Sequence, residues 1–213
     1  DNYGRKPAFA SFLPGISGIS GIPLWCYYVN RGQCISCFGS EDKDHSIMEF
    51  VPAHQAYLHT GRMGYRTFLK VNGAFYEAFA DTDRQQTMCI DQNVLRIEEK
   101  AQDKGIVTRV TYYTLPEEKL GALVRKVELQ NITNQPVEVE YLDGAPAIVP
   151  YGVNQDSMKN MTQTAKAWMQ IEDVCEGRPY FRVRASMGDS TQVVAIEGGN
   201  FSIAIGHDGS RLK

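Results

Sequence analysis

Apolar and polar residues along the chain alternate with a period of two far more often than with the spacing of a helix. Val137-Glu-Val-Glu-Tyr141 puts Val and Tyr on one face and Glu138 and Glu140 on the other, the signature of a half-buried antiparallel strand. Runs of similar character, dense in β-branched and aromatic residues, span Leu24 to Val29, Gln33 to Gly39, Ile47 to Val51, Tyr65 to Val71, Ala74 to Phe79, Thr87 to Ile90 and Val94 to Glu99. Gly105 to Leu115, Leu120 to Asn131, Pro136 to Leu142, Tyr180 to Ala185, Gln192 to Ile196 and Asn200 to Gly206 continue the series. Strands this short and this close together predict a mainly β fold, a sandwich or barrel.

Turn residues fall where hairpins need them: Asn30-Arg31-Gly32, Asn72-Gly73, Asp103-Lys104-Gly105, Gly198-Gly199 and Asp208-Gly209. Within Val124 to Gln130 the apolar stripe slips at Arg125-Lys126, which predicts a bulge. The segment after Val51 reads as a loop, because Pro52 and Ala53 interrupt the strand pattern. One stretch has helical spacing. Met158, Met161, Ala165, Trp168 and Met169 recur at three and four residues after a cap at Asn154 or Asp156, predicting a single amphipathic helix that ends before Gly177. Gly15 to Gly21 is either a flexible lead-in or a tight loop against a sheet.

Composition narrows the functional classes. A chain of 213 residues, 43% hydrophobic, is expected to form one β domain over 1–213. With 22 Lys plus Arg against 25 Asp plus Glu and no block of like charge, nucleic acid is not an expected partner. No apolar run approaches the roughly 20 residues of a membrane helix. Five cysteines without a pairing framework suit a reducing compartment, so a cytoplasmic location is expected.

The candidate chemistry is sparse. Cys34 and Cys37 have the spacing of a metal or redox pair, but no second pair completes a four-ligand site, and Cys89 and Cys175 sit in apolar sequence that predicts inert, packed thiols. His54 and His59 lack a third ligand at a persuasive spacing, and Asp42, Asp44, Asp81 and Asp83 lie in polar, turn-like sequence that predicts solvated acids. No cofactor or metal is implied. Trp25, Tyr28, Arg31, Arg62, Tyr65 and Arg66, with Tyr151 in a second loop, combine guanidinium groups with aromatic faces, a mixture that suits sugar stacking and phosphate contacts. The same mixture also suits packing or a protein interface, so both readings stand.

Several stretches carry a resemblance. Ser11-Phe-Leu-Pro-Gly15, Pro23-Leu-Trp25, Tyr28-Val-Asn-Arg-Gly-Gln33, Ser36 to Gly39, Met48-Glu-Phe50, Pro52-Ala53, Ala56-Tyr57 and Gly64-Tyr-Arg-Thr-Phe-Leu-Lys-Val71 resemble the amino-terminal region of family 94 glycoside phosphorylases. Pro146-Ala-Ile-Val-Pro-Tyr-Gly152 and Tyr180-Phe-Arg-Val-Arg-Ala-Ser186 extend the likeness, which is strongest to the group acting on β-1,2-linked glucooligosaccharides. The resemblance implies an antiparallel super-sandwich of the galactose-mutarotase type, an amino-terminal fragment of a larger enzyme. In that family an (α/α)6 barrel downstream holds the acid and the phosphate site for inverting phosphorolysis. No catalytic residue of the family maps onto this chain. The implied role is packing against its own catalytic domain, homodimer contact and shaping of the entrance for β-glucooligosaccharide and phosphate. A carbohydrate-binding sandwich and an independent mutarotase-like epimerase are the alternatives.

Overall fold

The computed structural model describes residues 1–161, 167–188 and 191–212. In chain order the strands are Ala10–Leu13 (β1), Leu24–Val29 (β2), Ile35–Ser40 (β3), Ser46–Met48 (β4), Arg66–Val71 (β5), Ala74–Ala78 (β6), Gln85–Ile90 (β7) and Val94–Ala101 (β8). Ile106–Thr114 (β9), Leu123–Asn131 (β10), Val139–Gly144 (β11), Met169–Glu172 (β12), Tyr180–Val183 (β13) and Asn200–Phe201 (β14) follow, and the α-helices Ala53–Met63 (α1) and Gln155–Asn160 (α2) lie between strands. Among the described residues the fold is mainly β, arranged in four sheets whose paired strands run antiparallel. Two compact units divide the chain: residues 1–40 with 51–147, and residues 41–50 with 148–213.

The first unit holds the ladders β1-β2-β3, β10-β9-β8-β7 and β11-β5-β6. Each is set by its pattern. Along β8, Leu95, Ile97, Glu99 and Ala101 are buried on one face, while Arg96 and Lys100 are exposed on the other. Tyr112 and Val110 of β9, Leu69 of β5 and Cys26 and Val29 of β2 are all essentially inaccessible and form the core between ladders. Asn72 and Gly73 both take positive φ, 47° and 84°, the left-handed pair that a two-residue hairpin between β5 and β6 demands. The Gly15 to Gly21 stretch is a tight loop: Glu117 accepts hydrogen bonds from Ile19 N at 2.8 Å and Ser20 N at 3.2 Å, and Glu117 N donates to Ser17 O at 2.6 Å.

Two expectations fail in this unit. The segment after Val51 is an eleven-residue helix, α1, not a loop. Pro52 stands immediately outside its first turn, where a missing N–H costs nothing, and Ala56 and Thr60, four apart, are its buried contacts with β2 and β3. The bulge expected at Arg125-Lys126 is also absent, since β10 pairs with β9 without interruption from Leu123↔Thr114 to Asn131↔Ile106. Arg125 breaks the apolar pattern because a charged residue occupies an inward position opposite Tyr112. The register shift lies instead in β2, between Tyr27 and Tyr28.

The second unit contains β4, α2 and the sheet β12-β13-β14 around Val149, Val153 and Val183, with Met158, Met187 and Ile196 packed on them. Asn154 caps α2 by accepting from Ser157 N at 2.8 Å. The expected four-turn helix is met in part: Met158 lies in α2 and Trp168 is helical, while residues 162–166 between them lie outside the described residues. α2 closes at Asn160, Ala165 lies outside the described residues, and Met169 opens β12 by pairing with Val183. Its apolar side chain serves a sheet rather than a helix stripe.

Candidate functional site

Several hydrogen bonds of the first unit converge on the turn between β2 and β3. Asn30 is buried there, accepting from Phe9 N at 2.8 Å and donating to Pro7 O at 2.8 Å and Tyr3 O at 3.2 Å. Arg31 donates to the carbonyls of Asn30 at 2.7 Å and Lys6 at 3.1 Å. Gly32 carries φ 51°, and its carbonyl accepts from the Tyr3 hydroxyl at 2.5 Å. Glycine serves the left-handed turn, while a methyl group there would make only ordinary contact with Gly61 of α1.

Between this turn, α1 and the end of β6 lies a concavity of ≈ 260 Å³, lined by Arg31, Gln33, Tyr57, Tyr65, Glu77 and Phe79 among others. It is smaller than the ~300–1,000 Å³ of typical small-molecule sites. Most polar groups on its wall already have partners. Glu77 receives both Nε and Nη2 of Arg66 at 2.7 Å, a bidentate ion pair, and Arg66 also lies over the Phe68 ring at 4.6 Å. Gln33 donates through Nε2 to Thr67 Oγ1 at 2.9 Å.

Behind Gln33 and Tyr65 sits a buried charge. The Arg125 side chain, 7% exposed, bonds to both carboxylate oxygens of Asp143 and to Gln33 Oε1, reaches Thr67 Oγ1 at 3.0 Å and approaches Tyr112 Oη at 3.3 Å. Its guanidinium lies 5.0 Å from the Tyr65 ring centroid and 5.9 Å from that of Tyr112. Burial pushes the phenols of Tyr65 and Tyr112 far above their usual range, so both stay neutral donors and acceptors.

Of the residues singled out from sequence, the concavity unites Arg31 and Tyr65, with Arg66 held at its edge through Glu77. The others lie elsewhere. Tyr28 is buried against Phe9, which removes it from any solvent-facing sugar platform. Trp25 is partly buried and donates to Ser40 O at 3.3 Å, Arg62 is exposed near the end of α1, and Tyr151 belongs to the second unit, bridged to Arg182 and lying over Gly198. His54 and His59 occupy exposed positions of α1. Cys26, Cys34 and Cys37 are buried free thiols, but Cys89 and Cys175 are exposed rather than packed. Cys89 falls on the outward face of β7, an edge strand of its sheet.

Sequence reasoning missed Gln33, Glu77, Glu99, Arg125 and Asp143. The usable signal was a charged residue in register with an apolar face. Glu99 follows Leu95 and Ile97 at spacing two, and Arg125 lies two residues from Leu123 and from Val127, opposite Tyr112.

Glu77 is the one carboxylate among the described lining residues of the concavity and is already neutralised by Arg66, whereas glycosidic cleavage requires a free acid with a second carboxylate or an external nucleophile. Among the described residues no three His, Cys, Asp or Glu side chains are placed to hold a metal, and no helix is long and apolar enough to cross a membrane. No protein-family model matches the chain, and neither does any curated protein.

Proposed function

We propose that this chain is a non-catalytic β domain of an inverting β-glucan phosphorylase, acting with a separate (α/α)6 catalytic domain on β-1,2-linked glucooligosaccharide and phosphate. Its role in this reading is packing, homodimer contact and shaping the substrate entrance, on a super-sandwich of the galactose-mutarotase type. The single observation behind the non-catalytic role is the pairing of Glu77 with Arg66: the acid in the cavity is committed to a bidentate ion pair. The stretches that resemble family 94 phosphorylases supply the parent activity. Five free thiols agree with a reducing, cytoplasmic setting.

A paired assay tests this. The chain alone and the longer polypeptide encoded by the same reading frame are each given β-1,2-glucooligosaccharide and orthophosphate, and glucose phosphate is measured. Product is expected only from the longer polypeptide. Phosphorolysis by the chain alone, or a reading frame that stops after Lys213, overturns the proposal.

Direct carbohydrate binding is the second reading, favoured by the juxtaposition of Arg31, Gln33, Tyr57 and Tyr65 on one concave wall. Calorimetric titration with β-1,2-glucooligosaccharides decides it. Saturable heat that disappears in Tyr57→Ala supports it, and absence of heat removes it.

A further inference from the structure

Six buried side-chain atoms among the described residues have no hydrogen-bond partner within the protein, and four of the six come together at one place. They are Glu99 Oε1, Arg84 Nη1, Tyr76 Oη and Thr108 Oγ1. Glu99 and Thr108 stand directly opposite each other across the β8–β9 ladder, hence on the same face. Arg84 Nη1 lies 3.7 Å from Glu99 Oε1, and the guanidinium carbon lies 4.7 Å from the Tyr76 ring centroid. Thr108 is close enough to Tyr76 to act on its phenol as a hydrogen-bond partner, at a geometry outside full hydrogen-bond limits.

The Arg84–Glu99 separation is too long for a direct hydrogen bond, and a water set beside the pair can reach both atoms. An N–H···O bond spans about 2.7–3.2 Å, so 3.7 Å between Arg84 and Glu99 leaves each with unused capacity. Buried polar groups are almost always satisfied, by protein or by ordered water. Four orphans at scattered positions invite four separate explanations; four at one position invite a common one.

The chemistry of the four atoms selects the ligand. A carboxylate oxygen only accepts, a guanidinium N–H only donates, and the two hydroxyls do either. An anion is repelled by Glu99, and a metal cation is repelled by the Arg84 N–H groups. A neutral molecule that both donates and accepts suits each of these atom types, and an internal water typically makes about three such bonds. We infer that Glu99, Arg84, Tyr76 and Thr108 form an internal water-binding site in which a water bridges the carboxylate and the guanidinium.

The site also bears on the concavity, independently of the role proposed for the chain. The second oxygen of Glu99 is fully used, accepting from Phe79 N at 2.8 Å and Gln86 Nε2 at 2.9 Å. Phe79 is a cavity-wall residue held at φ 65°, a left-handed conformation that a bulky side chain seldom adopts. Glu99 is therefore a positioning residue for that wall, and the bridging water completes the set of bonds that fixes its carboxylate.

A crystal structure resolving ordered solvent is the direct test. A water within hydrogen-bond distance of both Glu99 Oε1 and Arg84 Nη1 is expected. A direct Glu99–Arg84 bond with no solvent between them, or density that refines as an ion, overturns the inference. In solution, oxygen-17 relaxation dispersion counts long-lived internal waters in the wild type, in Thr108→Ser, which keeps its hydroxyl, and in Tyr76→Phe/Thr108→Val. The double variant is expected to lose at least one such water and Thr108→Ser to lose none. Equal counts in wild type and a double variant with an intact β-sheet circular dichroism spectrum overturn the site; should the double variant unfold, the wild-type crystal structure still decides.

Discussion

Replacing Arg125 by Ala removes the group on which three ladders of the first unit converge. The guanidinium sits on β10, Asp143 on β11, Thr67 on β5 and Gln33 in the turn before β3, and all are bonded to it. With Arg125 gone, the Asp143 carboxylate, 21% exposed, loses its counter-ion, Gln33 Oε1 loses its donor, and the rings of Tyr65 and Tyr112 face a void. Removing one partner of a buried ion pair costs about 3–5 kcal/mol, because the other charge remains where water cannot reach it freely. Cation–π contacts with desolvated rings, each about 0.5–2 kcal/mol, overlap with that figure and are not added to it. At ~2–4 °C per kcal/mol for a domain of this size, the transition of the first unit should fall by roughly 6–20 °C. Scanning calorimetry with near-ultraviolet circular dichroism of the tyrosines measures this. The companion is Arg125→Met/Asp143→Leu, which exchanges the pair for apolar volume and should lose less stability than Arg125→Ala alone, with the remaining loss at Gln33 Oε1, Thr67 Oγ1 and Tyr112 Oη. A cost below about 1 kcal/mol for Arg125→Ala, or a double variant worse than the single, refutes the network as described.

Thiol reactivity should split the five cysteines by burial. Burial pushes the thiols of Cys26 and Cys34 well above their usual range, so a disulfide reagent should titrate Cys89 and Cys175 in the native protein and all five only in denaturant; a third fast thiol contradicts the core described here. Burial raises the Glu99 carboxyl above its ordinary value of 4.5, so its contribution to stability is whole below that pH and declines as pH rises through the folded value. Wild-type stability measured against Glu99→Gln should consequently fall as pH rises above about 4.5, and a flat or rising difference rejects the burial argument. Gly15→Ala places a methyl 2.3 Å from the carbonyl oxygen of Leu24, a backbone atom with little freedom to retreat, and should cost about 1–3 kcal/mol by urea denaturation; an unchanged midpoint counts against that packing.

The strands were legible where local pattern and ladder agree. Leu24–Val29 appears in the structure with the limits its pattern predicts, and the Asn72-Gly73 hairpin follows from two residues tolerant of left-handed backbone. α1 escaped because its buried face rests on only Ala56 and Thr60, too small and too polar to register as an apolar stripe. The stripe from Met158 to Met169 misled at its end: Met158 and Trp168 are helical, but Met169 is claimed by a sheet and pairs with Val183, fourteen residues away. The site was harder still. Arg31 and Tyr65 are recognisable as residue types, but the partners that define their surroundings are remote in sequence, Gln33 and Arg125 being 92 positions apart. Alternation says that a residue points inward without saying which charge it meets there.

The Gly15 to Gly21 loop implies an order of assembly. Its tether to Glu117 spans 98 positions, whereas β5 and β6 meet across two residues. Closing so long a segment is entropically slow until the connection between β9 and β10 exists to receive it. Hydrogen exchange pulsed during refolding should therefore protect the β5–β6 hairpin early and the amides of Ile19 and Ser20 last, making this small clasp a reporter of completed maturation.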